Sequence, residues 1–284
     1  FGVTNAPAGA TGLAFSGGSQ DLRPERATTQ TWSINVHPQS VPGFVADVSY
    51  FRVKYTDRVL APIGNYRDAL NPAYSDSVII NPTAVQIQTA LAETALFINN
   101  VGGTFDPSKV LYLINNYNRN VAEQTIQGVD ASLSYSRPLG QGSLSGSIGG
   151  SWLESEQKSS PGTAYFDLAG TAWRPPHWRM RGSIGWADDG LELFAYVNYT
   201  GGVQDRRVLP YRDGSGMTTA DISISYTIAS SNKWIDETRA QIVVNNVLNQ
   251  KPPFLQPSAF AEPYDSTNYS PIGRYVSITL AHTF

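Results

Sequence analysis

The chain has 284 residues, 41% of them hydrophobic and 15% charged, with a formal net charge of −3, three histidines and no cysteine. That balance leaves no basic surface for nucleic acid and no thiols for disulfides or thiolate metal sites. No stretch approaches the roughly eighteen consecutive apolar residues of a membrane-spanning helix, so a bilayer crossing by this chain is by strands closed into a barrel. Gly, Ser, Thr, Asn and Tyr fill the gap left by modest hydrophobicity, which suits strands with one lipid face and one wet face. There is no initiating Met and no charged region followed by an apolar one at the start, so the chain is expected to be a fragment of a longer protein.

Residues 1–27 are rich in Gly, Ala, Ser and Pro without a sustained period and read as loop. Over 28–38, Trp32, Ile34 and Val36 alternate with Thr31, Ser33, Asn35 and His37, and residues 39–43 turn the chain. The return strand covers 44–57. Phe44, Ala46, Val48 and Tyr50 share one face whereas Phe51, Val53 and Tyr55 share the other, so a bulge is expected near Tyr50 and Phe51. Residues 59–116 are an insertion with structure of its own. Val85, Leu91, Ala92, Ala95 and Leu96 at helical spacing predict a helix over 82–97, and Asp106-Pro107, a cap followed by proline at the first helical position, opens a second short one.

Strands then resume in pairs. One covers 118–135 and turns at 137–142; its partner over 143–156 puts Leu144, Ile148 and Trp152 opposite Ser143, Ser145, Ser147 and Ser151. The next covers 171–187, with Trp178, Met180, Ile184 and Trp186 opposite Arg179, Arg181 and Ser183, and Asp188-Asp189-Gly190 is a hairpin signal. Alternating strands follow over 191–200, 218–228, 239–249 and 271–284, the last with Ile272, Val276, Ile278, Leu280 and Phe284 on one face; the total is nine. Short connections (39–43, 137–142, 188–190) alternate with long ones (59–116, 157–170, 202–217, 250–270). Outer-membrane barrels have this asymmetry, and a soluble β-domain, the alternative class, has no reason to keep its long loops on one side. The expected fold is all-β, an antiparallel transmembrane β-barrel, incomplete at about nine strands, with a long and partly helical loop.

Several motifs then fall in one order. Leu22-Arg23-Pro24-Glu25 precedes a strand, and Tyr50-Phe51-Arg52-Val53-Lys54 ends near Asp57. Gly128-Val129-Asp130 lies in a later strand, and Asn245-Asn246-Val247-Leu248-Asn249-Gln250-Lys251-Pro252-Pro253 runs from the end of another. Tyr264-Asp265, Tyr269 and Gly273-Arg274 lead into a closing strand that ends on Phe284. Taken together across 22–284, the set resembles the C-terminal part of a TonB-dependent outer-membrane receptor. Val247-Leu248 stands where that family more often has Leu-Phe, and His282 where it often has Tyr.

The resemblance implies a Gram-negative outer-membrane location and one barrel domain over 1–284. Residues 1–27 would form an extracellular loop, and the plug and earlier strands would lie outside this chain. It implies no enzyme activity and no cofactor. The partners it implies are outer-membrane lipid, a small-molecule or oligosaccharide ligand, the inner-membrane TonB complex reached through an N-terminal region, and the outer-membrane assembly machinery, for which Val276, Ile278, Leu280 and Phe284 resemble the signal. The implied function is active uptake of a scarce nutrient such as a siderophore, vitamin or oligosaccharide. A passive porin-like or adhesive barrel and a secreted carbohydrate-binding β-domain are the alternatives.

No catalytic constellation emerges. His37, His177 and His282 form no metal-ligand spacing. Glu154 and Glu156 share a face, read as a solvated strand end with an acid/base pair as the alternative. Trp32, Trp152, Trp178, Trp186, Tyr199 and Tyr226 sit on apolar faces, as barrel girdles require. Tyr165, Tyr211, Tyr264 and Tyr269 lie in long loops, where a sugar or siderophore can stack, and Arg206 and Arg207 join them as ligand-binding candidates. Arg174, Arg179 and Arg181 are further cations able to draw an anion inward.

Overall fold

The computed structural model describes the chain except at residues 1–3, 5, 8, 208–209, 231–236, 257–261 and 283–284. It divides into two compact units: Phe1–Thr28 with Val53–Thr125 and Glu156–Phe166, and Thr29–Arg52 with Ile126–Ser155 and Asp167–Phe284. In chain order the strands are β1 (Thr11–Gly17), β2 (Arg26–Val36), β3 (Phe44–Leu60), β4 (Val78–Ile80), β5 (Val110–Tyr117), β6 (Arg119–Leu139), β7 (Gly142–Lys158), β8 (Phe166–Asp167), β9 (Trp178–Ala187), β10 (Leu191–Thr200), β11 (Gln204–Asp205), β12 (Arg212–Asp213), β13 (Met217–Ile228), β14 (Thr238–Asn245) and β15 (Tyr275–Ala281); one α-helix, α1 (Ala84–Ala92), lies between β4 and β5.

The first unit builds a small core of its own. Its sheet runs β1-β5-β4, with β1 parallel to β5 and β4 antiparallel to it. Central β5 is covered on both faces. Leu13, Phe15 and Ile87 pack with Val110 and Leu113, whereas Ile63 and Ala69 pack with Tyr112 and Ile114. α1 begins where Thr83 and Gln86 form a reciprocal capping box, and it turns Ile87 into the core. Buried Asn116 clamps the incoming chain, its amide donating to Ile63 O and accepting from Ile63 N, both at 2.9 Å.

The main sheet is an antiparallel meander of nine strands in sequence order, β2-β3-β6-β7-β9-β10-β13-β14-β15, with β8 attached to β7; the sheet is not closed. Registers align one apolar row across six strands: Leu144, Trp186, Leu193, Ile224, Ile242 and Ile278. That face is bare, with Trp32 70% and Ile278 76% exposed. The opposite face is polar and internally bonded, through Ser33–Ser49, Asn35–Asp47, Ser147–Ser183 and Asn198–Asp221 among others. A soluble sheet would bury the first face and wet the second, so the inversion marks a barrel wall with lipid outside. Gly128 and Gly185 open this wall for aromatic rings: a Cβ on either would collide with the ring of Phe51 or Phe194.

Several boundaries differ from the sequence reading. Residues 11–17 are a strand rather than loop, because Leu13 and Phe15 find β5 to pack on. The strand expected from 171 begins at Trp178, since Pro175, Pro176 and left-handed Trp173 (φ 62°) break the extended run. β14 stops at Asn245 because Asn246 and Asn249 are left-handed, and β15 starts at Tyr275. The helix expected over 82–97 ends at Ala92, and the one opened by Asp106 is a single 3-10 turn, Pro107–Lys109. β6 continues past Pro138 to Leu139.

Candidate functional site

Three connections of the second unit meet around one carboxylate. Asp265, with no exposed surface, follows β14 and precedes the run Ser266-Thr267-Asn268-Tyr269. Its oxygens accept from the N–H groups of Thr267 (2.9 Å) and Asn268 (3.2 Å), the local turn an aspartate favours, and from the distant N–H of Trp173 (2.8 Å). The Asn268 amide donates to Asp265 (2.7 Å) and to Arg174 O (2.6 Å). The next residue, Tyr269, is buried against Val203 and Met217, and its hydroxyl donates to Gly201 O at 2.6 Å. Burial, reinforced by Asp265 and Tyr199, pushes this phenol up to about 12.

A second polar knot lies beside the first. Arg207 donates through Nε and Nη2 to both oxygens of buried Asp205 (2.9 and 2.7 Å) and through Nη2 to Gln256 O, and its guanidinium covers the Trp173 ring at 4.6 Å. This bond pattern holds the Asp205 carboxyl below its ordinary range and raises Arg207, each mainly through the other. Arg206 reaches Gln204 (2.6 Å) and Asp167 (3.2 Å).

Beside the Asp265 knot, on the polar face, is a cavity of about 200 Å³ lined by Ser151, Leu153, Pro175, Pro176, Arg179, Thr267 and Asn268. Arg179 is exposed, and its Nη2 donates to Asn268 Oδ1 at 2.7 Å. Ser151 donates to Asp130 at 2.5 Å. On the apolar face a hollow of about 330 Å³ lies between Trp152, Trp178 and Tyr199, with Glu154 and His177 at its edge. Trp152 and Trp178 are direct cross-strand partners, and Glu154 accepts from Gln127 (2.7 Å). Among the described residues, no three His, Asp or Glu side chains converge as metal ligands.

The candidates from sequence separate by environment. Tyr269 is turned inward, with no face left for a ligand, and acts as a pillar. Arg206 and Arg207 are engaged by Asp167 and Asp205. Tyr165, 46% exposed, donates to Glu123 (2.7 Å), which raises its phenol, and lies under Lys158 at 5.8 Å. Tyr211 is exposed and Tyr264 half-buried. Val276, Ile278 and Leu280 stand on the bare apolar face, and Phe284 lies outside the described residues. Arg181 is laid over Tyr196 at 4.5 Å. Asp265 and Asn268 were not among the candidates, although an Asp followed by three small polar residues is a signal for a capped turn.

An antiparallel meander with its apolar face outward, long capped connections and a bonded polar face defines an outer-membrane type of β-barrel. A family model described as TonB dependent receptor-like, beta-barrel, matches residues 2–247. The chain belongs to that family, whose members are transport receptors of Gram-negative outer membranes. Its fold is similar to that of the ferric enterobactin receptor PfeA of Pseudomonas aeruginosa, solved in complex with enterobactin: TM-score 0.58, 17% identity, over 95% of this chain and 34% of that one. It is also similar to the FrpB iron transporter of Neisseria meningitidis, with TM-score 0.52 and 12% identity over 94% of this chain and 32% of that one. The chain thus spans about a third of the length of these receptors. No curated protein sequence matches it.

Proposed function

We propose that this chain supplies part of the wall and ligand-facing loops of an energy-coupled outer-membrane receptor that imports a scarce nutrient, in the class that includes siderophores, vitamins and oligosaccharides. The observation that carries the reading is the inverted sheet, bare and apolar on one face and polar on the other, in a chain of this family. The long connections, 59–116 among them, face the cell exterior, and the polar face lines the passage. No bond of the ligand is broken or made. Energy arrives from the inner-membrane TonB complex through a region outside this chain, and outer-membrane lipid and the assembly machinery are its other partners.

The test uses the full-length protein. Uptake of its nutrient by cells is expected to stop when TonB is deleted, and the purified protein in a planar bilayer is expected to be nearly closed to ions. Uptake indifferent to TonB together with a steady open conductance would identify a passive barrel and overturn the reading.

A further inference from the structure

We propose that Arg179, Asn268 and Thr267 form a subsite for a hydroxylated carboxylate, a carboxyl group carried beside hydroxyls as in hydroxy acids and uronic sugars, with Asp265 as the residue that positions it. The proposal rests on the receptor reading above and names the ligand chemistry of that site.

The first argument is charge. Among the described residues of this unit, Arg206, Arg207 and Arg239 are each paired with a carboxylate, of Asp167, Asp205 and Glu192 respectively. Arg181 is covered by Tyr196 and Arg274 donates to Val247 O. Arg179 meets a neutral amide oxygen, which takes one N–H, and it is the cation that lines the cavity. A guanidinium has five N–H donors in a planar fork, and a carboxylate is the group that takes two of them at once. Pro175, Pro176 and Leu153 wall the cavity with low-polarity surface, which strengthens the attraction to an anion. Ser151 of the lining is already engaged, donating to Asp130 on the neighbouring strand.

The second argument is orientation. An amide can be turned either way, and here both faces are dictated: Nδ2 of Asn268 has two acceptors, Asp265 Oδ2 and Arg174 O, so Oδ1 points to Arg179. Asp265 is fully buried and bound by three backbone N–H groups, so it anchors the whole arrangement before a ligand arrives. The third argument is the remaining lining. Thr267 offers a hydroxyl to a ligand hydroxyl, while no aromatic ring faces the cavity to stack on a flat aromatic ligand. A volume of about 200 Å³ suits one small ring or acid.

The experiment is calorimetric titration of the full-length receptor in detergent at pH 7 with sodium D-glucuronate. Neutral D-glucose, acetate and inorganic phosphate serve as matched probes. Glucuronate is expected to bind at least tenfold tighter than each of the three. Arg179→Gln is expected to lose at least tenfold in glucuronate affinity, whereas Arg181→Gln, the same charge change on the same face, stays within twofold. Asn268→Asp places a carboxylate against Arg179 and is expected to abolish binding while the barrel keeps its heat-modifiable gel mobility. Asp265→Asn is expected to bring the glucuronate-to-glucose ratio down severalfold, a selectivity readout that loss of stability alone does not move. Equal binding of glucose, equal binding of phosphate, no binding of glucuronate, or binding unchanged in Arg179→Gln would each overturn the proposal. A receptor whose uptake needs TonB but which ignores Arg179 would refute this subsite alone.

Discussion

At the scale of single residues, the buried polar groups of the three meeting connections decide what the loops are able to do. Tyr269 is the clearest case, because its hydroxyl serves one carbonyl, Gly201 O, that has been withdrawn from water. Tyr269→Phe is expected to lower the stability of the full-length receptor by about 1–3 kcal/mol, the cost of leaving a buried acceptor unmade. The pH dependence has a definite sign. A phenol raised from 10.0 to about 12 contributes stability that is fully present below pH 10 and lost as pH rises through about 12. Melting temperatures measured in detergent from pH 8 to 12 are expected to fall above pH 10 in the wild type, and to fall less in Tyr269→Phe. Asp205 acts in the opposite direction: its carboxyl, held down by Arg207, contributes stability above the ordinary carboxylate range that is lost as pH falls through its depressed value.

At the scale of elements, the extracellular-type insertion is a folded object because its short pieces are individually capped. Thr83 and Gln86 start α1, and Asn65, Asn71 and Asp106 each accept from a backbone N–H to start a 3-10 turn. Thr83→Ala is expected to cost about 1 kcal/mol, since it removes the hydroxyl that accepts from the Gln86 N–H, the side-chain half of the capping box. Limited proteolysis of the full-length receptor is the measurement, with earlier cleavage expected between residues 82 and 97. The Asp106 start was legible in the sequence, because a cap needs only residues within one turn of it. β1 was not. Thr11–Gly17 is flanked by glycine and carries only two large apolar residues, so it becomes a strand through its parallel pairing with β5, about a hundred residues away.

At the scale of the whole molecule, the bare face of the meander governs behaviour. Ile278 belongs to the row that crosses six strands, and a charge there would face lipid. Ile278→Arg is expected to cost about 2–4 kcal/mol if that row lies near the bilayer midplane, read as reduced heat-modifiable barrel in outer-membrane fractions. The meander ends on β2 and β15, and the sheet is not closed. The chain expressed alone is therefore expected to aggregate in water through these edges and its apolar face; a monodisperse monomer that melts cooperatively without detergent would contradict this.

The sequence by itself determined the number of main strands, the alternating faces of most of them, the Asp106 cap of the insertion and the family, because alternation, capping and short motifs are local properties of the chain. Tertiary structure alone decided which polar loop residues are available. In sequence Arg206 and Arg207 were the ligand-binding candidates and Arg179 a further cation, and only the fold engages the first two with carboxylates and sets Arg179 against the amide of Asn268, 89 residues away. Asp265 became an anchor in the same way, through the N–H of Trp173, 92 residues distant. The physical reason is that a side chain's charge is written in its own residue, whereas its compensation depends on partners that distant turns of the chain bring to it.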